Sequence, residues 1–426
     1  MWGILGACFL LFLFAGIPIA LVMYMAAALG ITAFAGFDPT ILVQQLFSGL
    51  DSFTSLAVPL FIISGGIAAN GGTSRSLIDV IQVIFGRFRG SLAISTVVAS
   101  AFFAAITGTT LATIVAIGAI MIPALLKAGY PKKFACGIVC AGGTLGILIP
   151  PSVPMVNLSV AMGSSVAKQF TAGFVPGVLL ALIWCVMVVF YCRKAKIDDR
   201  KYYTRAESVK AFKNGILAIL YPVIVLGSIY GGFATPTEAA VISIVYVSLV
   251  ELFFYKSIKL PDLLRSAGQA AVTGGGILML VAGAKAISWF VAANQIPAAV
   301  ASFISANISS RFVFLILLIV IFLVLGMFLD IIPLTYILGP ILATTLTNFG
   351  VDFAQFGIIC ILCCQLGNLT PPFGMCLFMT MGVAKESLPN VAKGAVPFIV
   401  SMAAFALVCA FVPQISMWLP RLLGFT

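Results

Sequence analysis

Apolar residues dominate the chain in long stretches, broken by short polar or basic segments. A helix needs about 20 apolar residues to cross a bilayer. Runs of that kind, or slightly shorter, lie at 1–36, 53–70, 172–192, 214–231, 236–255, 268–293 and 394–420. Four further regions are apolar but punctuated. Segments 90–128 and 312–348 each hold enough residues for two helical arms around a central interruption, Gly/Thr in the first and Asp/Pro in the second. We read them as re-entrant hairpins. Segments 133–164 and 353–384 are split by Pro150-Pro151 and Pro371-Pro372. Each proline pair removes two N–H donors and frees carbonyls on the preceding turn, so these two read as broken helices. Amphipathic stretches at 72–89 and 295–310 precede the two hairpins and predict interfacial helices lying along the membrane.

Composition turns this pattern into a class. Of 426 residues, 62% are hydrophobic and only 8% charged, against roughly 25% charged in a soluble domain. A water-facing surface could not be covered, so the chain is an integral membrane protein whose first partner is the lipid bilayer. The absence of histidine excludes His-based triads, imidazole–metal ligation and histidine proton relays. The net charge of +11 does not point to nucleic acid, because most of the basic residues sit in short loops between apolar runs. The ten cysteines lie in or beside apolar stretches. Even Cys360, Cys363 and Cys364, which share a helix face, read as small membrane-buried residues rather than metal ligands. No positive segment precedes the first apolar run, which therefore reads as a span rather than a cleaved leader.

Basic residues also set the orientation. The segment 193–213 carries eight of the 23 Lys and Arg residues and is placed in the cytoplasm. If both hairpins return to the side they start from, only Lys168, Arg311 and Arg421 fall outside, and Lys285 lies within a span. The resulting topology has nine crossings, a cytoplasmic N-terminus and an external C-terminus. It is further organised as a repeat at an offset of about 221 residues. Pro150-Pro151 falls on Pro371-Pro372, GILIPPSVPM (146–155) on GNLTPPFGM (367–375), and GFVPG (173–177) on GAVPF (394–398). Since the first hairpin opens inward and the second outward, the halves 1–213 and 214–426 are expected to be inverted repeats. The predicted fold is thus all-α and polytopic, with two re-entrant hairpins and two broken helices.

Inverted repeats with broken helices are the construction of secondary transporters, whose sites lie near the midplane. Unwound backbone in hydrocarbon costs several kcal/mol per unsatisfied group unless it lines a cavity or binds something polar. Freed carbonyls and hydroxyls suit a desolvated Na⁺, and half-helix N-termini suit a carboxylate. At least two sites for a cation are expected. Ser64, Thr107, Gly108, Thr110 and Gly143 are the candidates for the first, and Gly326, Gly367 and Thr370 for the second. Thr109, Ser152, Asn157, Asp330 and Asn368 are the candidates for substrate contact. For each threonine the alternative is a hydroxyl bonded back to its own helix. For Asp330 the alternatives are a proton site or a cap on the following half-helix. Lys285 lies near the predicted outer end of its span and reads as snorkelling rather than substrate-binding.

The segments PLFIISGG (59–66), GTTLATIVAIGAIMIP (108–123), GYP (129–131), GTLGILIPPS (143–152), GGFATPTEAA (231–240) and GNLTPPFG (367–374) together resemble the large membrane subunit of tripartite ATP-independent periplasmic (TRAP) transporters. The resemblance spans almost the whole length, in the family's order. One departure is Gly108-Thr109-Thr110 at the first tip, where many members carry Gly-Ser-Ser; the hydroxyl chemistry is kept. The resemblance implies a Na⁺-coupled importer of organic acids in the bacterial inner membrane, working by an elevator motion. It also implies a periplasmic substrate-binding protein that delivers the cargo and a small four-helix membrane subunit, expected here as a separate chain. The tip is similar first to sialic-acid members and next to C4-dicarboxylate members. Three rival classes stand beside this reading. A partner-independent Na⁺/anion symporter is one. A channel is disfavoured by hairpins opening to opposite sides. A membrane-embedded enzyme would need clustered ionisable residues, which the spans lack, so no catalysis is expected.

Overall fold

A computed structural model describes residues 11–12, 15–35, 39–371 and 374–425. Among the described residues the regular secondary structure is entirely helical. Helices α1 (Ile19–Ala35), α2 (Pro39–Leu50) and α3 (Ala57–Asn70) lead to the short α4 (Thr73–Phe85). The first hairpin follows as α5 (Ser91–Thr107) and α6 (Thr110–Lys127), and the first broken helix as α7 (Lys132–Leu145) and α8 (Val153–Met162). Three long helices come next: α9 (Val166–Lys194), α10 (Arg205–Tyr230) and α11 (Pro236–Leu249), the last prolonged by a π-helical turn at Val250–Phe254. The longest, α12 (Leu260–Ala293), precedes α13 (Ile296–Asn307) and the second hairpin, α14 (Arg311–Gly326) with α15 (Ile331–Asn348). The second broken helix is α16 (Phe353–Asn368) and α17 (Met375–Ala384), before α18 (Leu388–Phe411) and α19 (Gln414–Leu422).

Local chemistry explains many of these boundaries. Helices α10 and α11 both open with capping boxes, Thr204 with Glu207 and Thr235 with Glu238, each satisfying two backbone donors that a helix start leaves unpaired. Helix α5 stops where Gly108 takes a left-handed conformation, φ 64°, which a glycine adopts without steric cost. The 221-residue offset reappears in the bounds themselves. Shifted by that amount, α6 (110–127) becomes 331–348, the bounds of α15.

Among the described residues seven helices are long and apolar enough to cross a membrane, including α6 and α15, the second arms of the hairpins. The expected spans 172–192 and 268–293 each fall within one helical run, as do 214–231 and 236–255 apart from their last residues, and 53–70 is covered by a short 3₁₀ turn, Thr54–Leu56, and α3. Three other regions differ. Residues 39–50, unassigned from the sequence, form α2, which is bent by 61° from the helical run through α3. It lies close against α12, where a Cβ on Gly49 would sit 2.9 Å from Ala282 Cα. The 394–420 span divides into α18 and α19, because Val412 before Pro413 leaves the helical region (φ −116°, ψ 80°). In 1–36 residues 11–12 and Ile19–Ala35 are helical with a turn at residues 15–16 between them; residues 1–10, 13–14 and 36 lie outside the described residues. Pro372 of the second proline pair also lies outside them.

Packing sorts the helices into two groups. In one, α12 runs along α1, α2 and α3, and α11 joins α3 and α10. In the other, each hairpin is gripped by the opposite half of the chain: α8 packs on α15, and α17 packs on α6. Helix α18 likewise packs on α7. Two ion pairs repeat this crossing. Lys132, at the start of α7, meets Glu386 at 3.0 Å, and Lys168, in the first turn of α9, meets Asp352, the cap of α16, at 2.8 Å. The Asn390 amide, the Ser387 N–H and Lys132 together hold the Glu386 carboxyl at about 2, so it stays charged at physiological pH. Asp352 also accepts the Ala354 N–H at 2.8 Å. Losing the pair alone through Lys168→Met should cost at most about 1 kcal/mol. Asp352→Ala should cost about 1 kcal/mol more, since it also removes a cap. A lower thermal midpoint for Asp352→Ala than for Lys168→Met in detergent is the expected ranking.

The loop between α9 and α10 straps the base of the first hairpin. Asp199 Oδ1 accepts the N–H groups of Gly90 (2.7 Å) and Ser91 (3.0 Å). Its Oδ2 accepts the Leu92 N–H and the Tyr130 hydroxyl, both at 2.8 Å. Gly90 to Leu92 open α5 and Tyr130 follows α6, so one carboxylate ties both legs. The Lys201 N–H adds a bond to the Gly86 carbonyl at 2.8 Å.

Candidate functional site

Both hairpin tips and both helix breaks meet at one cavity of about 530 Å³. The opening turns of four half-helices line it: Thr110 and Leu111 of α6, Val153 and Pro154 of α8, Ile331 and Ile332 of α15, Met375 and Cys376 of α17. Each brings the positive end of a helix dipole to it. The facing ends of α5 and α16, at Thr107 and Asn368, add carbonyl-rich negative ends. Helices α3 and α12 form the opposite wall, through Gly65, Asn70, Gln269 and Thr273 among others. Among the described residues neither Lys nor Arg lines the cavity, and Asp330 is its one carboxylate.

The first tip is a compact nest of oxygens. Thr107 and Thr113 hydroxyls lie 3.2 Å apart, and each donates to the Thr109 carbonyl, at 3.3 and 2.9 Å. The Gly108 carbonyl accepts the Val153 N–H at 3.3 Å, joining the tip to the start of α8. Helix α3 comes so close that a Cβ on Gly65 would fall 2.4 Å from Thr107 Cα. Thr110 hydrogen-bonds across to Gln365 of α16 at 3.3 Å. Gly143 has a different position: a Cβ there would meet Ile114 Cγ1 at 2.4 Å, so its role in this structure is to let α7 approach α6. Ser64 gives 2.8 Å contact to the Tyr221 hydroxyl, which donates to the Ile106 carbonyl at 3.1 Å. Ser64 thus belongs to a buried chain that fixes the tip to α10.

At the second tip Asp330 caps α15, its Oδ1 accepting the Ile331 N–H at 2.8 Å. Capping therefore operates, while the same side chain also lines the cavity beside Asn368. Gly326 and Gly367 mark the crossing of α14 over α16, with the Gly367 Cβ position 2.4 Å from the Gly326 carbonyl carbon. The Thr370 hydroxyl donates to its own helix, to Leu366 O at 2.6 Å. Ser152 is fully buried at the cap of α8 with its hydroxyl unpartnered. Asn157 is turned away from the cavity: its amide donates to the Val153 carbonyl at 3.0 Å and its Oδ1 accepts the Tyr336 hydroxyl at 3.2 Å. The structure therefore gathers Thr107, Gly108, Thr109, Thr110, Asp330 and Asn368 around one space, and sets Ser64, Gly143, Ser152, Asn157, Gly326, Gly367 and Thr370 in the supporting layer.

Sequence reasoning missed Gln365, Tyr221 and the α12 wall. Gln365 carried a signal, being an amide inside the apolar run CILCCQLGN. Tyr221 carried none, since its partners are 115 and 157 residues away.

A fold with broken helices meeting at a shared cavity is that of a membrane transporter. The crystal structure of the Alcanivorax borkumensis YdaH transporter is similar with a TM-score of 0.61, covering 89% of this chain and 87% of its own, at 14% identity. The family model described as "Tripartite ATP-independent periplasmic transporter, DctM component" matches residues 7–415, and the chain belongs to that family. A Pseudomonas aeruginosa relative, the C4-dicarboxylate TRAP transporter large permease protein DctM, is 36% identical over 403 residues, 94% of each chain. The isethionate TRAP transporter permease protein DctMQ of Oleidesulfovibrio alaskensis is 34% identical over 97% of this chain and 66% of its own length.

Proposed function

We propose that this chain is the large permease of a Na⁺-coupled importer for a small organic acid. The observation that carries the reading is the convergence of four helix N-termini and two oxygen-rich tips on a cavity without a basic side chain. A carboxylate there would be held by helix dipoles, by the hydroxyl and amide donors of the lining and by a bound cation. Tip oxygens of Thr107, Gly108 and Thr110 would hold one Na⁺, and the Gly326–Gly367–Thr370 region a second. Thr109, Asp330 and Asn368 stand where a substrate would touch both tips. The two halves act as inverted repeats, with the N-terminus in the cytoplasm, the C-terminus in the periplasm, and an elevator movement of the hairpin group along α3 and α12.

Cargo would arrive from a periplasmic binding protein, and a small four-helix membrane subunit would brace the large one; the DctMQ relative, longer than this chain, carries both letters in its name. Sialic acid and C4-dicarboxylates are the first substrates to test, with isethionate added because of that relative. The test is uptake into proteoliposomes holding both membrane subunits, with loaded binding protein outside and an imposed Na⁺ gradient. Uptake that ignores the gradient would refute the coupling. Thr107→Val should raise the Na⁺ concentration for half-maximal uptake several-fold, and an unchanged value would remove Thr107 from the ion site.

A further inference from the structure

Ion and carboxylate binding at the tips leave the opposite wall of the cavity unexplained. Helix α12 presents Ser266, Gln269 and Thr273 to it, at spacings of three and four that share one helix face. Asn70 of α3 continues this face, its amide donating to Ser266 Oγ at 3.1 Å. We propose that this neutral polar stripe is the release route for the organic acid, and that Gln269 and Thr273 contact it on the way to the cytoplasm. The inference rests on the transport reading above.

Direction comes from charge. The cavity extends from the tips along α6 toward Lys127, along α17 toward Lys385, along α3 toward Arg75, and along α12 back toward Lys259. Those ends share the basic residues that mark the cytoplasmic side. The structure is therefore open inward. Exposure on α12 has two meanings. Val272, 78% exposed, lies on the outer surface of the chain and does not line the cavity, whereas the adjoining Thr273 does line it. Chemistry also suits a path rather than a trap. Amides and hydroxyls offer donors and acceptors to a partly hydrated anion, yet no fixed positive charge holds it, and passage needs binding weak enough to leave.

The experiment uses Thr273→Cys and Val272→Cys in the whole complex, with the charged sulfonatoethyl methanethiosulfonate as probe. Wild type supplies the background; its described cysteines are free and, except for half-buried Cys185, buried. In inside-out vesicles Thr273→Cys should form the mixed disulfide at least about tenfold faster than Val272→Cys, since accessibility governs thiol reaction. Gln269→Cys should behave like Thr273→Cys and serves if that variant assembles poorly. Equal slow labelling, or labelling only from right-side-out vesicles, overturns the route. Modified Thr273→Cys should also lose uptake while modified Val272→Cys keeps it; retained uptake in the former overturns the substrate contact. Sided labelling of Thr273→Cys, together with no Na⁺-driven uptake by the wild-type complex, would instead refute the transport reading and leave the geometry standing.

Discussion

Valine at either Gly146 or Gly367 should eliminate uptake and lower stability. These glycines fall on each other at the 221-residue offset and do the same work in each half. A Cβ on Gly146 would lie 1.4 Å from Ala104 Cβ, and one on Gly367 would lie 2.6 Å from the Gly326 carbonyl oxygen. In both cases a hairpin's first arm crosses a broken helix at backbone distance, a mode of packing that membrane helices achieve with small residues. Overpacking costs about 1–3 kcal/mol and occasionally more; at Gly367 the opposing atoms are backbone and have no rotamer to change. The arm must then move away from the cavity. Gly382→Ala is the control, because nothing lies within 4 Å of its Cβ position. Near-normal uptake and thermal midpoint for Gly367→Val would mean that the crossing is wrongly placed.

The second large effect is expected at Asp199, outside the membrane-spanning helices. Alanine there leaves three backbone donors of α5 and the Tyr130 hydroxyl without their acceptor. Hydrogen bonds to a charged group contribute about 1.5–3 kcal/mol each. Water reaches part of this loop and such bonds are not additive, so a total near 2–4 kcal/mol is expected. Asp199→Asn should be milder, since the amide keeps one acceptor oxygen. Thermal unfolding of the purified protein measures both, and equal midpoints for Asp199→Ala and wild type would show that the strap does not hold the hairpin.

Interruptions inside apolar runs were the most legible features of the chain. Pro150-Pro151, Gly108 and Asp330 each break a helix for reasons internal to a few residues, so the hairpins and broken helices follow from sequence with bounds accurate to a turn or so. Helix α2 was not legible: its 12 residues fall short of a span, and it packs against α12 from the far side of the sequence. The site divides in the same way. Threonines and glycines at the tips could be picked out locally. That Thr370 spends its hydroxyl on Leu366, that Asn157 turns toward Tyr336, or that Ser64 answers to Tyr221 depends on partners far away in sequence. An α12 wall facing the tips is legible only once two helices from different halves stand side by side.

The crossed grip of α8 on α15 and of α17 on α6 also has a consequence for biogenesis. Residues 110–162 leave the ribosome well before 331–384 exist, and must wait in the bilayer with their apolar and unwound surfaces unclaimed. Non-local partners of this kind slow folding and leave early segments exposed to wrong company. A nascent chain halted after residue 213 should therefore be protease-sensitive at the first helix break, and become resistant only when the second half is supplied, even as a separate polypeptide.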